Sequence, residues 1–366
     1  MNYDKIILNL NGEVLTPVHI GCSKKYSPYL DIIKNENKII VLDEEKIIEK
    51  LVLNDKVFEE YIDILKNRSP NSIEKYNIMN LLENNKIKID EVKKYDLACG
   101  NTFNNLIEVN QVIKTRGVPY IPGSSIKGSI RTALICNKLL KNKIDFYKIR
   151  DISNLKNKRY SYIGQNIFRK NNKTIHEDIM KNLLVRDTDT ISNSSLKVYL
   201  CRAINLYESI KNNDICVSIK SLNECIEKNT RITFSIIIKN SLCNKEELYN
   251  NINNFYEKVL IKEIEEMKKL KDLRIDIIIS QYELLLNEIN EFRKYNNGFI
   301  LRIGGMKGIF SNTIDSILNE EELDYIRNSN KNRRKRTGEF PTTKWCIMDE
   351  NESIQATLGW IKVREE

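Results

Sequence analysis

Hydrophobic residues fall along this chain in two rhythms. In KIILNLNGEVLTPVHIG, residues 5–21, β-branched side chains alternate with polar ones through Val14, Thr16 and Val18, which predicts a strand closing at Gly21. Residues 24–110 form a mixed, charged span that reads as mostly helical. In VPYIPGSSIKGSIRTALI, residues 118–135, an apolar run stops at Pro122 and Gly123. A helix is predicted to follow from about Ile126 to Leu140, with Ser124 or Ser125 as N-cap. A Lys- and Asn-rich segment, residues 141–173, reads as an insertion, and strands are predicted within residues 183–206 and 230–239. Asn244 and Glu247 form a helix-cap pair, and Leu248, Ile252, Phe255 and Val259 then recur at helical spacing. Helical pattern continues to the stop signal at Asn297 and Gly298. A strand entering a glycine-rich loop, a basic run at residues 331–336 and a last strand, LGWIKV, complete the chain.

With 366 residues and 41% hydrophobic content, the chain can bury a sizeable core. A net charge of +9 favours anionic partners, nucleic acid ahead of a membrane surface. No apolar run approaches the roughly 20 residues that a spanning helix requires. The opening residues lack the charged and apolar regions of a signal peptide, so a cytoplasmic protein is expected. The eight cysteines include no CxxC pair and read as buried small hydrophobes, with no metal or cofactor called for.

Three constellations carry candidate chemistry. In the first, a helix start offers N–H groups and a partial positive charge to an anion. Ser124, Ser125, Lys127 and Arg131 add hydroxyls and full charge, and Gly128 permits a close approach. Gly123 to Ser129 spells GSSIKGS, but a Walker A loop needs lysine directly after its last glycine, where Ser129 stands, so NTP hydrolysis is discounted. In the second, LRIGGMKG, Gly304 and Gly305 with Arg302 and Lys307 suit a loop lying against a sugar-phosphate chain. In the third, TPVHIG, His19 ends the first strand, with Lys24 and Lys25 just beyond. Asp187 and Asp189 form a D-x-D that is read as structural.

These three stretches, in this order, resemble the RAMP superfamily of CRISPR RNA-binding proteins. Within it, the length, the long helical region and the ending LGWIKV look most like the fifth subunit of type III-A Csm effector complexes. The resemblance implies an α+β fold: a modified ferredoxin-like, RRM-like core in the order βαββαβ with large helical insertions. That core would occupy residues 1–240, interrupted by insertions at about 24–110 and 141–182. Residues 241–366 would complete it or form a second lobe.

The function implied is a non-catalytic crRNA-binding subunit, one copy per complex, at the 3′ part of the guide and beside other Csm subunits. Ser124, Ser125, Lys127 and Arg131 would hold phosphates, His19, Lys24 and Lys25 would line the same groove, and Arg302, Gly304, Gly305 and Lys307 would close it. The family's loop often alternates G-x-G-x-G, whereas Met306 takes the middle glycine position here. Two alternatives stay open: a RAMP endoribonuclease using His19 or Asp31 as base, and a repeating backbone subunit. Asp31 is expected not to be catalytic.

Overall fold

The computed structural model describes residues 5–66, 77–99, 108–142, 168, 178–205, 216–239, 242–269, 273–308, 310–311, 313–319, 321, 343–349, 351 and 353–366. Residues 143–167, His176 and the basic run at 331–336 lie outside the described residues.

Strand β1 (Lys5–Val14) buries Leu8, Leu10, Gly12 and Val14 and exposes Ile7, Asn9 and Asn11, which alternate with them. It ends seven residues earlier than the alternation suggests, because residues 16–20 are buried without a break and leave the sheet. The span read as mostly helical also carries strands that its pattern does not announce: β2 (Gly21–Tyr26), β3 (Ile32–Asn35), β4 (Lys38–Leu42), then α1 (Glu44–Leu51), α2 (Asp55–Lys66), α3 (Ile78–Asn84), α4 (Ile89–Val92), β5 (Lys93–Cys99) and β6 (Val109–Val112). The reason is local. Strand β2, GCSKKY, is a polar edge strand with only Tyr26 buried, and Ile39 to Leu42 of β4 are buried on both faces, so neither alternates.

A short hairpin, β7 (Lys114–Thr115) and β8 (Val118–Pro119), leads into α5 (Gly123–Asn142). There follow β9 (Leu183–Val185), β10 (Leu196–Asn205), β11 (Cys216–Ile226), β12 (Arg231–Lys239), α6 (Lys245–Lys268), α7 (Asp276–Tyr295), β13 (Gly298–Arg302), β14 (Thr343–Met348), β15 (Ile354–Ala356) and β16 (Trp360–Glu365). Helix α6 starts as its sequence predicts: the Glu247 N–H donates to Asn244 Oδ1 at 2.8 Å, and Leu248, Ile252, Phe255 and Val259 are all buried.

The first sheet runs β13-β16-β1-β12-β9. Strand β12 is antiparallel to β1 and to β9, and β16 is antiparallel to β1. Taking β1, α5, β9, β12, α6 and β16 as βαββαβ, the strands lie side by side in the order fourth, first, third, second, which is the ferredoxin-like arrangement. Helix α7 and edge strand β13 are additions outside β16. Helices α5 and α6 cover this sheet, and Ile126, Ile130, Ala133, Ile252, Val259 and Trp360 share one large core. The fold is α+β as expected.

The second sheet runs β2-β6-β11-β10-β5-β4-β3, with β14 and β15 branching from β10. Helices α1 to α3 pack on it around a satellite core that includes Leu42, Ile47, Leu51, Tyr61, Leu81 and Leu82. Cysteines 99, 136, 201, 225, 243 and 346 are buried, and Cys22 is half-buried. Among the described residues no helix is long and apolar enough to cross a membrane.

Candidate nucleic-acid interface

Residues 16–20, TPVHI, thread between the two sheets, and most main-chain groups there are committed. The Val18 N–H donates to the Ile226 carbonyl at 3.0 Å, and the Gly359 N–H donates to the Pro17 carbonyl at 3.0 Å. The Gly305 N–H donates to the His19 carbonyl at 2.8 Å, and the Ile113 N–H to the Ile20 carbonyl at 2.8 Å. The His19 ring is buried, with Nδ1–H donating to the Glu224 carbonyl at 2.7 Å. Burial holds its pKa below the ordinary histidine value, against the pull of that hydrogen bond. The ring anchors residue 19 to β11, and the main-chain carbonyl of the same residue seats the glycine loop.

That loop crosses the His19 backbone as closely as main chains can pass. A Cβ on Gly304 would stand 2.4 Å from the His19 carbonyl oxygen, and the residue sits at φ +82°, so glycine is required twice over. Gly305 has no such neighbour: a Cβ there would meet nothing nearer than 3.8 Å. Met306, at the family's glycine position, carries φ +58° and rests against the cluster of Cys201, Cys225, Ile347 and Leu358.

Helix α5 approaches from the other side. It starts at Gly123, earlier than its sequence suggests, and neither serine is its N-cap. The Gly123 N–H donates to Asp187 Oδ1 at 2.7 Å, so a carboxylate from the D-x-D caps the helix from outside. Glycine is needed here because a Cβ would stand 2.3 Å from the Val185 carbonyl oxygen. Ser124 and Ser125 are first-turn residues whose helix face continues through Gly128, Ser129 and Thr132. That face, the glycine loop and the Ile20–Gly21 corner enclose a groove of about 410 Å³. The three stretches singled out in sequence thus converge on one concave surface.

Lys307 sits at the bottom of the groove, 8% exposed, with Nζ donating to Ser129 Oγ at 3.3 Å and to the Arg302 carbonyl at 3.1 Å. Burial, with the Arg302 charge behind it, lowers its pKa to about 7. The groove wall carries nothing larger than threonine on its helical side, so a backbone can lie close, and its floor offers a cation short of solvent.

Five expected contacts are elsewhere. Arg302 is fully buried: its Nε donates to the Leu358 carbonyl at 2.9 Å, its guanidinium lies 5.1 Å from the Trp360 ring, and Nη1 approaches Glu263 at 3.5 Å. It is corrected to a core residue, since a charge with those partners cannot reach a ligand. Lys344 shares Glu263 with it at 2.6 Å, and together they hold that carboxylate ionised despite its burial. Arg131 stacks over Phe168 at 5.3 Å on the neighbouring face of α5, where Lys127 also projects, toward Asp178. Lys24 and Lys25 line a different cleft beyond Gly21.

Ser129, Thr132 and Glu224 escaped the sequence reading. The first two could have been found by following the hydroxyl and glycine stripe from Ser125 at helical spacing, whereas Glu224, in β11, carries no local signal. Asp31 takes the Ser27 N–H on its own Oδ2 at 2.7 Å, a turn-forming bond consistent with a structural side chain. Among the described residues, no group of three or more His, Cys, Asp or Glu side chains could hold a metal ion.

A profile of the RAMP superfamily matches residues 12–310. The CRISPR system Cms protein Csm5 of Methanocaldococcus jannaschii is 27% identical over 393 aligned positions, which cover 98% of this chain and 89% of that protein. The protein of the same name from Streptococcus thermophilus is 31% identical over 144 positions, covering 37% and 40% of the two chains. Among solved structures, a chain of the cryo-EM Csm–crRNA–target RNA ternary complex of a type III-A CRISPR–Cas system superposes with a TM-score of 0.69 at 22% identity, over 98% of this chain and 100% of that one. The crystal structure of T. onnurineus Csm5 gives 0.62 at 22% identity, over 96% and 99%.

Proposed function

The chain belongs to the RAMP superfamily, and from that membership we propose that it is a non-catalytic crRNA-binding subunit of a type III-A effector complex, present once and capping the filament at the 3′ part of the guide. The observation that carries this reading is the groove in which the α5 face, the glycine loop and Lys307 meet. Phosphates of a single strand lie against Ser124, Ser125, Gly305 and the Lys307 ammonium, and the bases face outward to pair or to meet other subunits. Lys127 and Arg131, on the neighbouring face of α5, receive phosphates outside the groove, and Lys24 those beyond Gly21.

The names of the relatives and the crRNA of the matching complex agree with this ligand. A positioning role for His19 agrees with a subunit that holds RNA without cutting it, because a buried imidazole bonded to a main-chain carbonyl is poorly placed as a general base.

The test is to tag the protein in its host, purify it gently, sequence the RNA retained and count the companions. Guide RNAs with a shared repeat-derived 5′ end, with one copy of this chain beside several backbone subunits, are expected. Absence of RNA and of such partners overturns the proposal. RNA turnover by the purified chain that disappears in His19→Ala or Asp31→Ala overturns the non-catalytic part alone.

A further inference from the structure

A second cleft, about 700 Å³, opens where the first groove ends. Gly21 lines the groove and its neighbour Cys22 lines the cleft, so the two share one strand as their common edge. Along that edge the ladder bulges: Gly21 lies opposite Val112 but Lys25 opposite Asn110, and Ser23 adopts φ +65°. The extra residues turn Ser23 and Lys24 outward into solvent, as bulges at sheet edges do.

The cleft is built in two tiers. Its rim carries Lys24, Lys94 and Arg116, all exposed, against Glu44 and a partly exposed Asp31. Arg116 is presented at the tip of the β7–β8 hairpin, where it and Gly117 hold φ +51° and +78°, as in a type I′ turn. Lys25 is already engaged by Glu108 at 2.7 Å.

The floor is different. Lys114 Nζ has three donors and spends them on Glu224 Oε1 at 2.6 Å, Tyr95 Oη at 2.7 Å and Tyr26 Oη at 2.8 Å. Glu224, fully buried, uses its other oxygen to accept the Val112 N–H at 2.9 Å. Lysine and carboxylate therefore cancel, and the floor carries no net charge. The two tyrosine hydroxyls stand 2.5 Å apart, so one donates to the other. Both oxygens accept a hydrogen bond from Lys114, which leaves one phenolic O–H to seek an acceptor in the cleft.

A cationic rim over a neutral, rigid floor with a spare donor suits a nucleotide lying with its phosphates at the rim and its base below. We infer that the cleft takes the next stretch of the same single RNA strand, which leaves the groove across the bulge at residues 21–25. Its phosphates rest on Lys24, Lys94 and Arg116, and a base acceptor takes the remaining phenolic proton of the Tyr26–Tyr95 pair. This rests on the reading of the groove as an RNA site.

The experiment titrates the full chain with fluorescein-labelled single-stranded RNAs of graded length and compares it with the double variant Lys94→Gln, Arg116→Asn. Both positions are exposed, and asparagine tolerates the left-handed backbone at 116, so the variant should fold. For the wild type, affinity should rise with length until both sites are filled. In the variant that rise should stop at a shorter RNA, and the log–log salt dependence should flatten by about 1.4, or about 0.7 for each phosphate no longer neutralised. A variant with unchanged length limit and salt slope overturns the second site and leaves the groove standing. A wild type that binds no RNA of any length removes both readings.

Discussion

At the scale of single residues, glycine separates fold from function in this protein. Gly128 lies within a helix, and a Cβ there would meet nothing within 4 Å. Gly128→Ala should therefore stabilise the protein by about 0.5–1 kcal/mol in denaturant titration, while it narrows the groove and weakens RNA binding. Loss of both stability and binding would show that the residue serves the fold instead. Gly304→Ala should do the opposite first: its Cβ would strike the His19 carbonyl from a left-handed backbone, at a cost of at least about 2 kcal/mol. Lys307 supplies a pH dependence. Its pKa of about 7 means that a bound phosphate must restore the proton above that pH. Affinity for RNA should fall as pH rises beyond about 7, by at most about tenfold per unit, and Lys307→Met should flatten the profile. The identity of these residues was legible in the sequence, but their direction was not. Arg302 and Lys307 flank the same loop and look equivalent in LRIGGMKG. Only the packing of Glu263 and Trp360 decides that one is core and the other faces the groove.

At the scale of elements, the helix start expected to await an anion already holds one. Asp187 caps α5 at Gly123, so Asp187→Ala should cost about 1 kcal/mol in chemical denaturation, and an unchanged stability would mean that the bond carries no weight. The strand–turn–helix, the cap of α6 and the last strand were readable because each is a local pattern with a stop signal. The second sheet was legible only at β10, because β2 is polar at an edge and β4 is buried on both faces. A period-2 test passes over both kinds, and over the bulge of β2, whose extra residues are defined only by their partner strand.

At the scale of the whole molecule, the fold places the chain's last strand beside its first. Leu10 lies opposite Glu365, and Trp360, fully buried, gives its carbonyl to the Leu15 and Thr16 N–H groups. A chain ending before Gly359 should lose its cooperative thermal transition and its RNA binding together, and a truncated chain that melts cooperatively would contradict this. The topology implied by the family resemblance was reached from three short stretches because it depends on order along the chain. The groove, by contrast, depends on contacts between residues far apart in sequence, which no single stretch reveals.

The pairing of first and last strands also bears on how the protein is made. Synthesis delivers β1 about 350 residues before β16, so until residues 360–365 emerge β1 has one edge without its native neighbour. The loop that forms one wall of the groove is tied down through Gly359, whose carbonyl accepts the Ile303 N–H and which is made after every other part of the groove. A nascent chain that still lacks residues 359–365 thus cannot present the finished groove and does not compete for RNA.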